Sequence, residues 1–262
     1  MSATRTAATG TVYLVGAGPG APDLLTLRAA RLLAEADVVF HDELVHPDTI
    51  ALAVRAEKFA VGKRCGRHST AQRFINKRLV DAAATCRVVV RLKGGDPLLF
   101  GRAQEEIAAL EAAGIRYEVV PGITAALASA AATGTSLSQR GTVRSIALAT
   151  PRVGEGERAS DWARGFASAD AGAIYMGLGE GAAIAAALRA AGKPPTLPVA
   201  IVENASLPAE RVVYTTLAGL AQVDSEQFSG PALLLIGPQF ADRRVAAVDA
   251  RESELTPKVG HG

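Results

Sequence analysis

Apolar positions along the first half of the chain switch repeatedly between strand and helix spacing. Thr11–Val15 is a short apolar run that ends at Gly16, as a buried strand does. Leu25, Ala29, Leu32 and Leu33 then recur at helical spacing, and Thr26 stands where a helix over Thr26–Ala36 needs an N-cap. Asp37–Phe40 and Lys58–Val61 read as the next strands. Ser69, with Gln72 three residues on, resembles a capping box for a helix whose apolar stripe is Ile75, Leu79 and Ala82. Arg87–Leu92, RVVVRL, has the β-branched run of a strand buried on both faces. Ala103–Ala113 is helical, with Ile107 and Leu110 inward and Gly114 as its stop, and Tyr117–Val120 is a further strand.

Strand and helix in alternation imply a mostly parallel sheet with helices on both faces. Ligands on such sheets bind beyond the carboxyl ends of the strands, where the loops Gly16–Pro22, His41–Val45 and Gly94–Phe100 fall. The second half differs. Ser145–Ala149, Ala173–Met176, Val199–Val202, Arg211–Thr215 and Ala232–Ile236 look like strands and Ala182–Ala191 like a helix, suggesting a second α/β domain with more antiparallel, mixed pairing. The expected fold class is therefore α/β in two domains, 11–121 and 122–245, divided near Pro121–Gly122, with residues 1–10 and 249–262 as disordered tails.

Composition narrows the partners. Of 262 residues, 49% are hydrophobic and 21% charged, ordinary for a globular chain, and a net charge of +2 points to neither a nucleic-acid nor a membrane partner. No apolar run approaches the roughly 18 residues of a membrane span. Met1–Gly10 lacks the apolar core of a signal peptide, so a cytoplasmic location is expected. Cys65 and Cys86 form no CxxC pair, and His41, His46, His68 and His261 have no metal-ligand spacing; no metal is expected.

Gly16-Ala17-Gly18-Pro19-Gly20-Ala21 formally fits the dinucleotide pattern G-x-G-x-x-G/A, and Asp42 ends the next apolar strand, where a ribose-binding acid would stand. Two features oppose that reading. Pro19 and Pro22 stiffen the turn, and each lacks the amide donor a pyrophosphate needs, and helix signals resume only near Leu24–Thr26. A loop that packs on a ligand by shape fits better, with a nicotinamide site and a purely structural turn as alternatives. The stretch Arg91–Arg102 (RLKGGDPLLFGR) follows the strongest strand. Gly94 and Gly95 let backbone approach a ligand, Asp96-Pro97 sets a turn, and Arg91, Lys93, Asp96 and Arg102 gather charge at a strand end. A polar loop with solvated charges would look much the same.

VGAGPGAPDLLTL, HDELV, VGKRCGRHSTAQRFIN, VVRLKGGDPLLFGRAQEE and VVPGITAALASA occur in that order. Together they resemble the uroporphyrinogen-III C-methyltransferases of the tetrapyrrole (cobalamin-pathway) methylase family, from about Val12 to Phe240. The GAGPG and GGDP loops are shared across that wider family. The GKR-x-G-x-H-S-x-x-Q and RLKGGDP-x-x-FGR segments look specific to the uroporphyrinogen enzymes.

The resemblance implies a two-domain tetrapyrrole methylase fold with the active cleft between the domains, usually in a homodimer. It implies two methyl transfers from S-adenosyl-L-methionine to a tetrapyrrole, uroporphyrinogen III, at C2 and C7, with S-adenosyl-L-homocysteine as product and precorrin-2 feeding sirohaem, cobalamin or haem d1. By matched motifs, Pro19, Gly94, Gly95, Asp96, Leu99, Thr124, Ala125, Met176 and Ala205 should contact the cofactor. Asp96 would accept from the ribose or stand near the cofactor's charge. Met176 would pack on the adenine or sulfur, although its residue type alone fits a core methionine better. Asp42 and Lys63 match positions proposed as proton acceptor and donor. Lys63, Arg64, Arg102 and Arg140 are the candidates for the substrate's carboxylates, and Arg102 with Glu105 would face the macrocycle to assist proton removal or would hold one another in place.

The chain departs from the family pattern at two places. Ser138-Gln139-Arg140 stands where many members carry Thr-His-Arg, and Thr150-Pro151-Arg152 where a strand often ends Thr-Gly-His. Two histidines of the family pattern are thereby absent, and Arg140 is kept. A later cobalamin-pathway methylase, a nicotinamide-dependent oxidoreductase and a catalytically silent tetrapyrrole carrier are the alternative readings.

Overall fold

Among the residues described by the computed structural model (10–61, 70–154, 158 and 160–241), the strands assemble into two sheets of five. The first contains β1 (Thr11–Gly16), β2 (Val38–His41), β3 (Glu57–Ala60), β4 (Val88–Lys93) and β5 (Arg116–Val120), in the order β3-β2-β4-β1-β5. All its pairings are parallel. Successive residues of a strand face opposite sides, and both sides are apolar. Val15, Val39, Val90 and Leu92 pack with Leu32 and Leu33 of α1 (Leu27–Glu35) and with Ile50 of α2 (Pro47–Ala51). Val12, Phe40 and Val89 pack with Ile75 and Leu79 of α3 (Thr70–Ala83) and Leu110 of α4 (Ala103–Ala112).

Strand order sets where a ligand can go. The chain leaves β1 toward β2 on one side of the sheet and leaves β4 toward β5 on the other, while β1 and β4 lie side by side from Thr11↔Val88 to Gly16↔Lys93. The reversal of direction between two neighbouring strands opens a crevice at their carboxyl ends.

The helix ends follow their local signals. Thr26 Oγ1 accepts from the Ala29 amide at 3.1 Å, capping α1. Gly114 takes φ +66 just past α4, and the Ile115 amide reaches back to the Leu110 carbonyl at 2.9 Å. The capping residue expected at Ser69 lies outside the described residues.

The second sheet contains β6 (Ile146–Ala149), β7 (Ala171–Ile174), β8 (Pro198–Glu203), β9 (Arg211–Thr216) and β10 (Ala232–Ile236), in the order β6-β7-β10-β8-β9. Only β6–β7 is parallel, which gives the expected mixed sheet. Its core joins Ile174, Ile201, Leu234 and Ile236 to Phe166 of α6 (Trp162–Ala167), Ile184 and Leu188 of α7 (Gly181–Ala190) and Leu217 of α8 (Leu217–Leu220). The strand expected over Ala173–Met176 ends earlier, at Ile174, because Met176 takes φ 55 and turns the chain out of the sheet. No helix among the described residues is long and apolar enough to cross a membrane.

The packing divides the chain at a different place from Pro121–Gly122. The first unit runs on through α5 (Ala125–Ala132), and it also takes in Asn204–Glu210, the connection from β8 to β9. Two contacts account for this. The Gly122 amide donates to Asp96 Oδ2 at 3.0 Å, tying the start of the α5 segment to the loop after β4. The Ala21 amide donates to Ser206 Oγ at 3.1 Å, tying the β8–β9 connection to the loop after β1.

Glu203 closes the end of β8. Its Oε1 accepts from the Ser229 and Gly230 amides at 2.6 and 2.8 Å, and its Oε2 pairs with Arg211 at 3.0 Å. The Gly230 amide, against the cost of burial and with help from Ser229 and Arg211, holds this carboxyl below its usual range. A depressed carboxyl contributes stability above its unfolded pKa and loses it as pH falls through the folded value. Glu203→Gln is therefore expected to cost about 1–3 kcal/mol at neutral pH. The gap to wild type should shrink on acidification below the ordinary glutamate range of about 4.3. Urea denaturation of both chains across that range checks this; a gap independent of pH would contradict it.

Candidate active site

Pairing between β1 and β4 continues into their loops. The Ala17 amide donates to the Lys93 carbonyl at 2.7 Å, and Gly18 and Gly95 exchange both backbone hydrogen bonds, at 3.2 and 2.7 Å. Gly18 (φ +73) and Gly95 (φ +66) are both left-handed, a conformation other residues adopt only at a cost. The chain after β5 joins them. A Cβ on Gly16 would stand 2.6 Å from Gly122 Cα, and one on Gly122 would stand 2.3 Å from the Gly95 carbonyl oxygen. Three loops thus meet backbone to backbone at the switch between β1 and β4.

Asp96 braces this meeting. Its Oδ1 accepts from the Leu98 amide at 2.9 Å and its Oδ2 from Gly122. Each carboxylate oxygen keeps a second acceptor direction beyond these bonds. Leu44, from the loop after β2, lies beside Gly94, and Thr124 lies beside Gly95. After Gly20 the chain makes a single 3-10 turn, Pro22–Leu24, and α1 starts only at Leu27. The glycine loop therefore does not open onto a helix N-terminus, and the pyrophosphate cradle of a nicotinamide site is missing.

Beneath the loops lies a charge cluster that the sequence analysis described only in part. Arg91 and Lys93 are adjacent same-face positions of β4, and both side chains are 3% exposed. Arg91 pairs with Asp42 at 2.5 Å through Nη2 and with Glu106 at 2.9 Å through Nε, while Nη1 donates to the Leu92 carbonyl at 3.2 Å. Lys93 Nζ contacts both oxygens of Glu106, at 3.2 and 3.1 Å. Gln72 of α3 donates to Glu106 as well, at 3.3 Å. Two cations and two carboxylates balance here. Burial pulls the Arg91 guanidinium down, but Asp42 and Glu106 outweigh it and raise the group above its usual range. Lys93 goes the other way. Burial and the Arg91 charge lower its ammonium pKa, and the carboxylates do not make up the difference.

The reading of Arg91 and Lys93 as loop charges that could be solvated is corrected: both are buried and paired. Glu106, absent from the candidate residues, is fully buried. A signal for it existed. Ala103, Glu106, Ile107 and Leu110 share one stripe of α4, so an acid falls on the face that the helix buries.

The remaining candidates divide by unit. Arg102 sits at φ 56 before α4 and grips Glu105 bidentately, Nε to Oε1 at 2.6 Å and Nη2 to Oε2 at 2.8 Å, with both side chains about half exposed. Pro19, Gly94, Leu99, Thr124 and Ala125 are half-buried in the first unit, and Ala205 is buried within its Asn204–Glu210 segment. Met176 and Arg140 are exposed in the second unit. Lys63 and Arg64 lie outside the described residues. Among the described residues, the non-glycine positions with positive φ are Phe100, Arg102, Met176, Asn204 and Ser206. They occupy the loops after β4, β7 and β8, the kind of site where strain of ~1–3 kcal/mol per residue is retained for function.

Comparison with known proteins agrees with this geometry. The family model of tetrapyrrole (corrin/porphyrin) methylases matches residues 11–221. A sirohaem synthase of Azotobacter vinelandii is 46% identical over 249 residues, 94% of this chain and 54% of that protein. One from a Psychrobacter species is 44% identical over 87% of this chain and 47% of its own length. The chain thus spans about half the length of the curated relatives it matches. A uroporphyrin-III C-methyltransferase from Thermus thermophilus, solved with S-adenosylhomocysteine, is 42% identical, with a TM-score of 0.76 over 90% of this chain and all of that one. A cobalt-precorrin-4 methyltransferase is 28% identical, with a TM-score of 0.75 over 88% of this chain and 96% of its own.

Gly122→Ala tests the close approach. The added methyl meets backbone on two sides, so the variant should lose about 1–3 kcal/mol in chemical denaturation. An unchanged midpoint would show that the three loops have room to part.

Proposed function

The chain belongs to the tetrapyrrole methylase family, and from that premise we propose that it methylates uroporphyrinogen III at C2 and C7, using S-adenosyl-L-methionine and yielding precorrin-2 and S-adenosyl-L-homocysteine. The observation that carries this reading is the Gly18–Gly95 backbone exchange braced by Asp96 at the switch between two strands. A wall of bare backbone suits a flat nucleoside and a sulfonium group, which need close contact and no phosphate cradle. Support also comes from the Thermus relative, which carries the demethylated cofactor and is matched along its whole length. The chain matches only about half the length of the sirohaem synthases, so the reading takes from them the sirohaem pathway and rests the methyl transfer on the Thermus relative and the family. The cobalt-precorrin-4 enzyme is the family rival. The GKR and FGR segments favour uroporphyrinogen over it.

When bound, S-adenosylmethionine supplies an electrophilic methyl. The residues of the chain align the acceptor carbon with it and keep water out, which is where most of the acceleration in such a transfer arises. Gly94, Gly95, Asp96, Leu99, Pro19, Thr124, Ala125, Met176 and Ala205 would hold the cofactor. Asp42, oriented by Arg91, accepts the proton that the macrocycle loses, with Lys63 as donor. The macrocycle's eight carboxylates call for guanidinium and ammonium partners, here Arg64, Arg102, Arg140 and Lys63. The Arg102–Glu105 clamp fixes Arg102 at the head of α4. The family resemblance supports a homodimer, and the proposal takes the reaction to be cytoplasmic.

Incubation with uroporphyrinogen III and methyl-labelled S-adenosylmethionine tests the reading. Two labels per macrocycle are expected. No transfer to uroporphyrinogen with transfer to a later precorrin would favour the rival, and tight binding without transfer would favour a carrier. Asp42→Asn should lower kcat by ~100-fold or more, in line with loss of a positioned base. Arg102→Ala should cut turnover ~10-fold or more while leaving S-adenosylhomocysteine affinity within about threefold. Titration calorimetry beside the kinetics separates the two effects; equal losses in both would contradict a substrate-facing role.

A further inference from the structure

We propose that Glu106 is a positioning residue: through Arg91 it sets the orientation of the Asp42 carboxylate, with Lys93 as the cation that balances its charge. The proposal rests on the methyltransferase reading above. Glu106 does not act on the loops from within them. It lies on the buried stripe of α4, fully covered, and sends both oxygens back to β4. Arg91 is the shared piece. Its Nε is held by Glu106, its Nη1 by the Leu92 and Phe40 carbonyls, and its Nη2 by Asp42 Oδ1. A guanidinium is planar, so fixing two of its nitrogens fixes the direction of the third. Asp42 itself stands at the end of β2 and is 29% exposed, and the other groups of the cluster are buried. The only carboxylate of the set that reaches solvent is thus aimed by one that does not.

Lys93 explains why the acid must be charged. Arg91 and Lys93 lie on one face of β4, and Glu106 is the carboxylate that both contact. Glutamine at position 106 would leave two buried cations facing Asp42 alone. Arg91 and Lys93 would then compete for that carboxylate, and its direction would no longer be set by Arg91. From α3, Gln72 donates to Glu106, and Asn76 accepts from Gln72 at 3.0 Å and donates to the Glu105 carbonyl at 3.1 Å. The same acid therefore also ties α3 to the first turn of α4, directly below the Arg102–Glu105 clamp.

The test uses the full chain, with S-adenosylmethionine and uroporphyrinogen III, in three forms: wild type, Glu106→Gln, and Glu106→Gln with Lys93→Met. The single change should lower kcat at least ~10-fold while the KM for S-adenosylmethionine moves less than about threefold. The double change removes the surplus cation and leaves a balanced Arg91–Asp42 pair, so its kcat should return to within about threefold of wild type. A purely structural role would move cofactor affinity together with kcat and would give no recovery in the double variant. Wild-type kcat in Glu106→Gln overturns the proposal, as does a double variant no better than the single. If the single variant does not fold, the double decides: folded and active supports the proposal, while inactive or unfolded overturns it, because a balanced Arg91–Asp42 pair would then be insufficient. A wild-type chain that transfers no methyl would instead overturn the methyltransferase reading itself.

Discussion

The ends of β1 and β4 and the chain after β5 come so close that no side chain fits between them, and the Asp96 carboxylate and the paired amides of Gly18 and Gly95 hold them there. Several other features follow from this one constraint. Gly16, Gly95 and Gly122 must lack a Cβ or sit left-handed or both. The loop after β1 does not turn directly into a helix: a single 3-10 turn, Pro22–Leu24, precedes α1, and Gly20 and Ala21 lie against Leu207 and Ser206 of the β8–β9 connection. What these loops can present to a ligand is therefore backbone and small side chains, which suits a methyl donor better than a dinucleotide.

Under that surface of backbone the chain buries a cluster of charges. Arg91, Lys93 and Glu106 are buried, which is costly unless every charge is met, and the count balances only when Asp42 is included. The upper layer sets shape and the lower layer sets the direction of one carboxylate. They are joined covalently through β4, since Arg91 and Lys93 lead directly into Gly94-Gly95-Asp96.

Much of this was legible in the chain itself. RVVVRL marked β4 within a residue, Thr26 and Gly114 marked helix ends, and β10 matched its apolar run Ala232–Ile236. These signals are local, each written in a period or a cap. The features that were missed depend on contacts distant in sequence. Glu106 was not among the candidates, because what marks it out is its partners on other elements: α4 turns Glu105 outward to Arg102 and Glu106 inward to Arg91. The Asn204–Glu210 segment joins the first unit through a hydroxyl and a leucine whose partners lie far back in the chain. The short helices α2 and α6 and the alanine-rich α5 carry too little periodicity to announce themselves. The pairing of Arg102 with Glu105, by contrast, was one of the two arrangements expected of these residues, and it takes the form of a bidentate clamp.

Titration of S-adenosylhomocysteine into wild type and Gly95→Ala tests the central claim most directly. Gly95 is the useful position because a methyl there meets nothing closer than Thr124 Cα at 4.0 Å, so the variant bears only the ~1 kcal/mol of a left-handed alanine and should remain folded. If the backbone of the β4 loop is the surface that meets the methyl donor, wild type binds saturably and Gly95→Ala binds at least ~10-fold more weakly, the effect of losing close contact at a packed ligand. Undiminished binding by a folded Gly95→Ala would place the cofactor elsewhere and contradict the claim.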